Sequence, residues 1–294
     1  MGGNYMYQHI PVLLNEVMTH LDPKPNHLLI DGTVGQGGHA KAFLQRALPD
    51  GRLLGIDRDP SNLAIAHEHL ASFGDNVILV QDTYANAKAH AYAHGFTSVH
   101  AILLDIGFSS LHVDDPSRGF SFSLEGPLDM RYDRSGGLTA GEMVNTWSED
   151  ELAKMFRVYG EERNARFIAE KIVEQRGNEP FVTTKQLAAF IEALIPRRGK
   201  THPATKVFQA LRISVNDELG ELERALPELI ELLAPGGRIA IISFHSLEDR
   251  IVKQFFKEHP VLTVVTKRPV TGSREELRAN PRARSAKLRV AQHN

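Results

Sequence analysis

The sequence predicts an α/β fold: a mostly parallel sheet covered by helices on both faces, with an all-helical segment inserted into it. Three observations carry that prediction. Short apolar runs alternate with helix-period segments from Leu28 to Leu104, as in successive βαβ units. The first run, Leu28-Leu29-Ile30, leads at once into Asp31-Gly32-Thr33-Val34-Gly35-Gln36-Gly37-Gly38 and then into helical periodicity. The alternation stops near Val113 and resumes only after Val215.

In chain order, the glycine turn lets backbone N–H groups approach a ligand that a Cβ would hold off. His39 opens the following helix, with Ala42, Phe43, Leu44 and Leu48 on its apolar side. A second strand, Leu53 to Ile56, ends in Asp57, about 20 residues after the glycines, where a carboxylate accepts both hydroxyls of a ribose. Pro60 starts a helix striped by Leu63, Ala66, Leu70 and Phe73, and Val77 to Val80 is the third strand. It delivers Asp82 and Tyr84 to the same rim, where the Tyr84 ring either lies against an adenine or plugs the sheet edge. The fourth strand, Ala101 to Leu104, leads into Asp105-Ile106-Gly107-Phe108-Ser109-Ser110.

Ligands of open α/β sheets gather beyond the carboxyl ends of the strands, so Asp31, Asp57, Tyr84 and Asp105 are expected to converge. The loop lacks the G-x-G-x-x-G of a dinucleotide site, and no arginine stands near for a 2′-phosphate. An acidic, glycine-lined pocket suits a cation that carries an amino group and a ribose, which is S-adenosylmethionine. Methyl transfer from a sulfonium is an in-line displacement that needs positioning more than catalytic groups. An exocyclic amine, a poor nucleophile, gains from an acceptor on its N–H. Asp105 is the candidate for that acceptor or for the cofactor's amino group, and the sequence does not separate the two.

From 113 to 215 there is no clear strand. Ser148 with Glu151 and Thr183 with Gln186 have the spacing of capping boxes ahead of amphipathic helices. The expected division is therefore a sheet domain of residues 1–112 and 216–294 and a helical insert of residues 113–215. Phe120 and Phe122, behind Arg118-Gly119, either stack on unpaired bases or pack the insert. The loop Pro196 to Pro203 is basic, with Arg197 and Arg198; its Gly199-Lys200-Thr201 lacks the first glycine and the strand of a P-loop.

A helix over 218–233, a turn over 234–237 and a fifth strand, Arg238 to Ser243, bring Phe244-His245-Ser246-Leu247-Glu248-Asp249 to the rim. Val261 to Thr266 and Ala286 to Ala291 are expected to pair antiparallel at the sheet edge. His245 with Ser243, Ser246 and Asp249 has the residue types of a hydrolase triad without its G-x-S-x-G elbow; orienting a base or a structural hydrogen bond are its other readings. His90 and His94 have the spacing of a zinc pair, but no third ligand stands in reach, so no metal is expected.

With 24% charged and 42% hydrophobic residues the 294-residue chain is globular, and with no cysteine it forms no disulfide or thiolate zinc site. The opening residues lack the regions of a signal peptide and no run reaches the ~18 apolar residues of a membrane span, so the expectation is a cytoplasmic protein without a membrane partner. The net charge is only −2. Lys267 to Asn294, however, holds eight Lys and Arg against Glu275 and Glu276, a net +6, which points to contact with phosphates.

Ten blocks along the chain resemble one family. They are His9 to Leu14, Asp31-Gly32-Thr33 with Gly35 to His39, Asp57-Arg58-Asp59-Pro60, Leu104-Asp105 with Gly107 and Ser109-Ser110, and Arg118-Gly119-Phe120-Ser121-Phe122. The others are Leu128-Asp129-Met130-Arg131, Tyr159-Gly160-Glu161-Glu162, His202-Pro203-Ala204-Thr205 with Phe208 to Ile213, Ser243 to Lys253, and Asn280-Pro281-Arg282 with Arg284-Ser285-Ala286. In these the chain resembles the bacterial small-subunit ribosomal RNA cytosine-N4 methyltransferases.

The resemblance implies a class I methyltransferase (Rossmann-like) sheet domain whose helical insert recognises substrate. It implies methylation of the N4 amine of a decoding-region cytidine in 16S rRNA on the assembled small subunit; Asp105 and His245, from the reading of the residues above, are the candidate catalytic groups. It also implies S-adenosylmethionine contacts at Gly37, Gly38, His39, Asp57, Tyr84, Asp105 and His112. Tyr84 stands where phenylalanine is common and His112 where glutamine is usual. The residues expected to face RNA are Ser109, Ser110, Phe120, Arg131, Arg197, Arg198, Arg282 and Arg284. The oligomeric state stays open, a homodimer included. A ribosome-assembly factor that keeps the fold without turnover and an NAD-dependent oxidoreductase are the alternatives. Loss of turnover with intact particle binding in Asp105→Ala separates the first, and failure to bind S-adenosylmethionine would revive the second.

Overall fold

The computed structural model describes residues 10–107, 109–197, 199 and 201–294, without the side chains of Ser110 and Leu111. His9 and Arg198 thus lie outside the described residues. The chain divides into a unit of residues 1–107 with 220–294 and a unit of residues 108–219.

The first unit runs α1 (Leu14–Leu21), β1 (Leu28–Asp31), α2 (Gly38–Ala47), β2 (Arg52–Asp57), α3 (Pro60–Leu70), β3 (Val77–Gln81), α4 (Ala87–Ala93) and β4 (Val99–Asp105). After the second unit the sheet is completed by β5 (Leu233–Ser243), β6 (Leu262–Val264) and β7 (Lys287–His293) in the order β3-β2-β1-β4-β5-β7-β6. The pairs β3-β2, β2-β1, β1-β4 and β4-β5 are parallel, and β7 runs antiparallel to both β5 and β6. Of the two strands expected to pair at the edge, β7 is therefore interior and β6 is the edge.

Alternate strand residues feed two cores. Leu29, Leu53, Leu103, Ala240 and Ile242 face one way with Phe43 and Leu44 of α2 and Val17 and Met18 of α1. Ile30, Leu54, Leu104, Ile239 and Ile241 face the other, with Ala87 and Ala91 of α4 and with Leu222 and Leu226. A period of two buried on both sides is the signature of a doubly covered sheet.

The expected helix over 218–233 is α11 (Glu218–Ile230), which ends earlier, and the fifth strand begins at Leu233. The register jumps from Val99 opposite Leu233 to Ala101 opposite Arg238, so Ala234 to Gly237 bulge out. Pro235 has no N–H to give the ladder and Gly236 takes a φ of +78°, which accounts for the bulge.

Among the described residues, the regular elements of the second unit are helices, with one 3₁₀ turn, joined by loops. The helices are α5 (Ser110–Asp114), α6 (Ala140–Thr146), α7 (Glu149–Val158), α8 (Ala165–Arg176), α9 (Thr184–Leu194) and α10 (Thr205–Asn216). They surround their own core of Leu152, Phe156, Ile168, Ile172, Leu187, Ile191 and Leu211. Ser148 and Glu151 form the reciprocal capping box of α7, and Thr139 with Glu142 forms another at α6. At α9 only half forms: Thr183 accepts from the Gln186 amide, while Gln186 turns its Oε1 to the amide of Val182. This unit runs a few residues beyond the expected 113–215 at each end. At its close Asn216 accepts from the amide of Tyr132 at 2.9 Å and Glu218 accepts from the Tyr132 hydroxyl at 2.9 Å and from Arg212 Nε at 2.9 Å.

Candidate active site

The carboxyl ends of β1, β2 and β4 meet at the glycine turn. The turn is pinned at several points: the Gly32 amide donates to the Leu103 carbonyl at 3.0 Å, the Val34 amide to that of Ile56 at 2.9 Å, and the Asp105 amide to Thr33 Oγ1 at 2.6 Å. A Cβ on Gly32 would fall on Leu104 and on the Cβ of Tyr84, so only glycine lets Tyr84 pack this closely. Gly37 has a φ of +84° and caps α2, and a Cβ on Gly38 would fall on Pro11. His39, buried in the first turn, donates through Nε2 to the Val12 carbonyl at 2.9 Å, tying the N-terminal segment to the loop.

Asp57 is held from two sides. Its Oδ2 accepts from the Gly35 amide at 2.9 Å, and its Oδ1 accepts from the Asp59 amide at 2.8 Å and Asn62 Nδ2 at 3.3 Å. The carboxylate is thereby fixed at the strand end. Tyr84 opens a short 3₁₀ turn, Tyr84–Asn86, capped by Thr83. His90 Nε2 lies 2.7 Å from Asp82 Oδ2, and His94 is exposed.

Two acids of the site titrate far from their ordinary range. Burial pushes the Asp31 carboxyl up to about 8, aided by the charges of Asp105 and Asp57 and opposed by the Thr33 amide. Burial likewise pushes half-buried Asp105 up to about 7; the Gly107 amide and the Arg282 guanidinium pull it down, and Glu248 pushes it up. Burial disfavours the charged form, so a cation placed among these acids is favoured twice, by neutralising them and by relieving their mutual repulsion.

On the neighbouring strand, the turn after β5 brings Phe244 over Gly107: a Cβ there would lie 2.6 Å from Phe244 Cε2. His245 caps α12 (Ser246–Glu258), and its Nε2 lies 2.9 Å from Glu248 Oε1. A Ser-His-Asp triad does not form. Asp249 faces Arg289 Nε at 2.6 Å and Lys287 Nζ at 3.1 Å, which hold its carboxyl below the usual range, and Ser243 turns to the Lys287 carbonyl. Arg282 lies where its charge reaches Asp105, in a short turn, Pro281–Arg284, while Arg284 is exposed.

Other expected site residues belong to the helical unit. His112 is buried, accepts from the Ser109 amide at 3.1 Å, stacks with Phe120 at 4.9 Å and meets Tyr132 at a tilt, 5.0 Å between ring centroids. Phe120 is thus one layer of a protein stack, and Phe122 packs edge-on to Phe208 in the helical core. Arg131 grips both oxygens of Asp129, at 2.8 and 3.0 Å. Arg197 is exposed beside the undescribed Arg198.

Sequence reasoning passed over three residues here: Thr33, which fastens β4 to the loop; Phe244, which fills the space above Gly107; and Glu248. The last had a signal, a residue three beyond His245 at a helix start, which is the spacing of a capping box.

The residues present fit S-adenosylmethionine. A glycine cradle that a Cβ would fill, a fixed carboxylate for the ribose, an aromatic ring at the rim and two further acids for the cationic end make up the donor and acceptor set that molecule requires. Among the described residues no helix is long and apolar enough to cross a membrane.

Comparison with known proteins agrees. The MraW methylase family profile matches residues 6–294. The ribosomal RNA small subunit methyltransferase H of Heliobacterium modesticaldum is 48% identical over 98% of this chain and 99% of its own. That of Nostoc sp. is 48% identical over 98% of this chain and 93% of its own. A solved SAM-dependent O-methyltransferase from Thermotoga maritima resembles 99% of this chain and 68% of its own at a TM-score of 0.43 and 13% identity, a level at which the sheet order above, not the match, fixes the fold class. The chain belongs to the MraW methylase family, and it is a methyltransferase of the class I α/β fold with S-adenosylmethionine as its cofactor.

Proposed function

We propose that this enzyme methylates the exocyclic N4 amine of a decoding-region cytidine in 16S rRNA, acting in the cytoplasm on the assembled small ribosomal subunit. The names of its relatives support small-subunit rRNA as the substrate. The observation that carries the choice of an amine is Asp105, a half-buried carboxyl beside the cofactor cradle whose proton affinity is raised to about 7.

S-adenosylmethionine, when bound, supplies an electrophilic methyl on a sulfonium. The amine's lone pair is delocalised into the pyrimidine ring, and an acceptor on its N–H localises that pair toward the methyl. Asp105 is assigned this part. On methyl transfer the amine must lose one proton, and the Asp105 carboxylate, which titrates near neutrality, would take it and return it to water. His245, its ring against Glu248, is assigned a second place in orienting the base. Asp57 would bind the ribose, Tyr84 would lie against the adenine, and Gly37 and Gly38 would let the cofactor approach the backbone. His39 holds the start of α2, and His112 enters as a cofactor contact on the family resemblance alone.

The helical unit is assigned to substrate recognition, with Ser109, Ser110, Phe120, Arg197 and Arg198 toward RNA and Arg131 acting through the loop it fixes. Arg282 and Arg284 are assigned to phosphates. The test is transfer of labelled methyl from S-adenosylmethionine to purified small subunits lacking the modification and to naked 16S rRNA, followed by nucleoside analysis. Label in N4-methylcytidine from the particle is the expected result. Label in another nucleoside, or transfer to naked rRNA only, would overturn the reading.

A further inference from the structure

Glu248 is 2% exposed, an unusual place for a carboxylate, and its bonds explain how it is kept there. Its Oε2 accepts from the amide of Phe244 at 2.8 Å and from that of His245 at 3.2 Å. Its Oε1 lies 2.9 Å from His245 Nε2, and its own amide donates to His245 Nδ1 at 3.4 Å. One side chain on the first turn of α12 therefore closes the turn after β5 from the inside. That turn carries Phe244, whose ring packs on Gly107, two residues after Asp105.

Arg282 faces Asp105 from the turn at 281–284, Asp31 from β1, itself beside Asp57, and Glu248 from α12 with His245 against it. Lys287 and Arg289 of β7 are engaged by Asp249.

We propose that Glu248 is a positioning residue for methyl transfer: it holds the Phe244–His245 turn, keeps the Phe244 ring on Gly107 beside Asp105, and supplies the negative charge against which Asp105 accepts the amine hydrogen. The inference rests on the role of Asp105 proposed above.

The experiment is single-turnover transfer of labelled methyl to small subunits lacking the modification, measured from about pH 5.5 to 9 for the wild type, Glu248→Gln and Glu248→Asp. Melting and cofactor titration establish that each variant is folded and loaded. The wild-type rate is expected to rise through about 7 as Asp105 loses its proton. Glu248→Gln keeps an acceptor oxygen but no charge, so its rising limb moves to lower pH. Glu248→Asp keeps the charge but draws the carboxylate back from the two amides. Its limb stays in place while its plateau falls on the order of ten- to a hundredfold, the scale of an ångström's misplacement. A limb unmoved in folded, cofactor-binding Glu248→Gln, or a Glu248→Asp plateau equal to that of wild type, overturns the proposal and leaves a helix cap. Should Glu248→Gln not fold, Glu248→Asp decides alone through its plateau. A wild-type rate without a rising limb near neutrality counts instead against Asp105 as the acceptor, and the proposal falls with it.

Discussion

The Gly35 amide donates to Asp57 Oδ2 at 2.9 Å, fastening the glycine turn after β1 to the end of β2. The two halves of the cofactor cradle are thus fastened together before a ligand arrives, and the carboxylate proposed to bind the ribose is also the clasp of the loop. Affinity here depends on a preorganised acceptor, which leaves less to be ordered on binding.

Asp57→Ala removes both functions. Cofactor affinity is expected to fall by about 1 to 3 kcal/mol, from hydrogen bonds left unmade by the ribose and by the Gly35 amide. Titration calorimetry with S-adenosylmethionine measures it, and wild-type affinity would show the ribose to be read elsewhere.

Asp31 makes stability depend on pH. Its folded pKa of about 8 lies above the ordinary carboxylate value, so between about 4 and 8 the native state holds a proton that the unfolded state has lost. The contribution is complete below the unfolded value and disappears as pH rises through the folded one. Asp31→Asn, neutral throughout, is expected to melt a few degrees above wild type at pH 8.5, the scale of ~1 to 2 kcal/mol in a chain of this size, with the gap closing by about pH 5. Thermal denaturation at both pH values checks the sign; a gap that widens toward acid would reverse the assignment.

Gly107→Ala puts a methyl group into the Phe244 ring. Overpacking of this kind costs about 1 to 3 kcal/mol and shifts backbone. Because the strain falls two residues from Asp105 and away from Asp57, transfer is expected to drop by more than tenfold while cofactor affinity changes little, and Gly107→Ala,Phe244→Leu is expected to recover part of the rate. Equal losses in both measurements would mean that the whole rim had moved.

Arg282 and Arg284 are expected to part company. Arg284→Ala removes an exposed cation, so RNA binding should weaken with a salt slope shallower by about one. Arg282→Ala also removes a charge that holds Asp105 down, so the acidic limb of the rate profile should move to higher pH. Filter binding across salt and a rate-pH series separate the two, and an unmoved limb in Arg282→Ala would leave it as a phosphate contact only.

Much of this was legible in the chain as written. The order of strands and helices, the glycine turn and the acids at three strand ends follow from period, turn chemistry and strand length, all of which are local. The helical character of the insert followed from caps and stripes in the same way. Phe122, by contrast, reads equally as a base-stacking ring or a core ring, and only its edge-on partner Phe208, far along the chain, decides for the core. A triad is one of three readings of His245 because Asp249 and two serines stand near it in sequence. In space Asp249 belongs to Lys287 and Arg289 on β7, and His245 pairs with Glu248.

The sequence by itself determined the fold class, the cofactor and the identity of the acids at the rim, because each is written in contiguous residues whose backbone and side-chain requirements are short-ranged. Only the tertiary structure decided how those acids behave. The proton affinities of Asp31 and Asp105 are set by burial and by charges brought in from β2, α12 and the turn at 281–284. Desolvation and Coulomb interaction depend on distance in space, and no spacing along a chain encodes that distance until the sheet has formed.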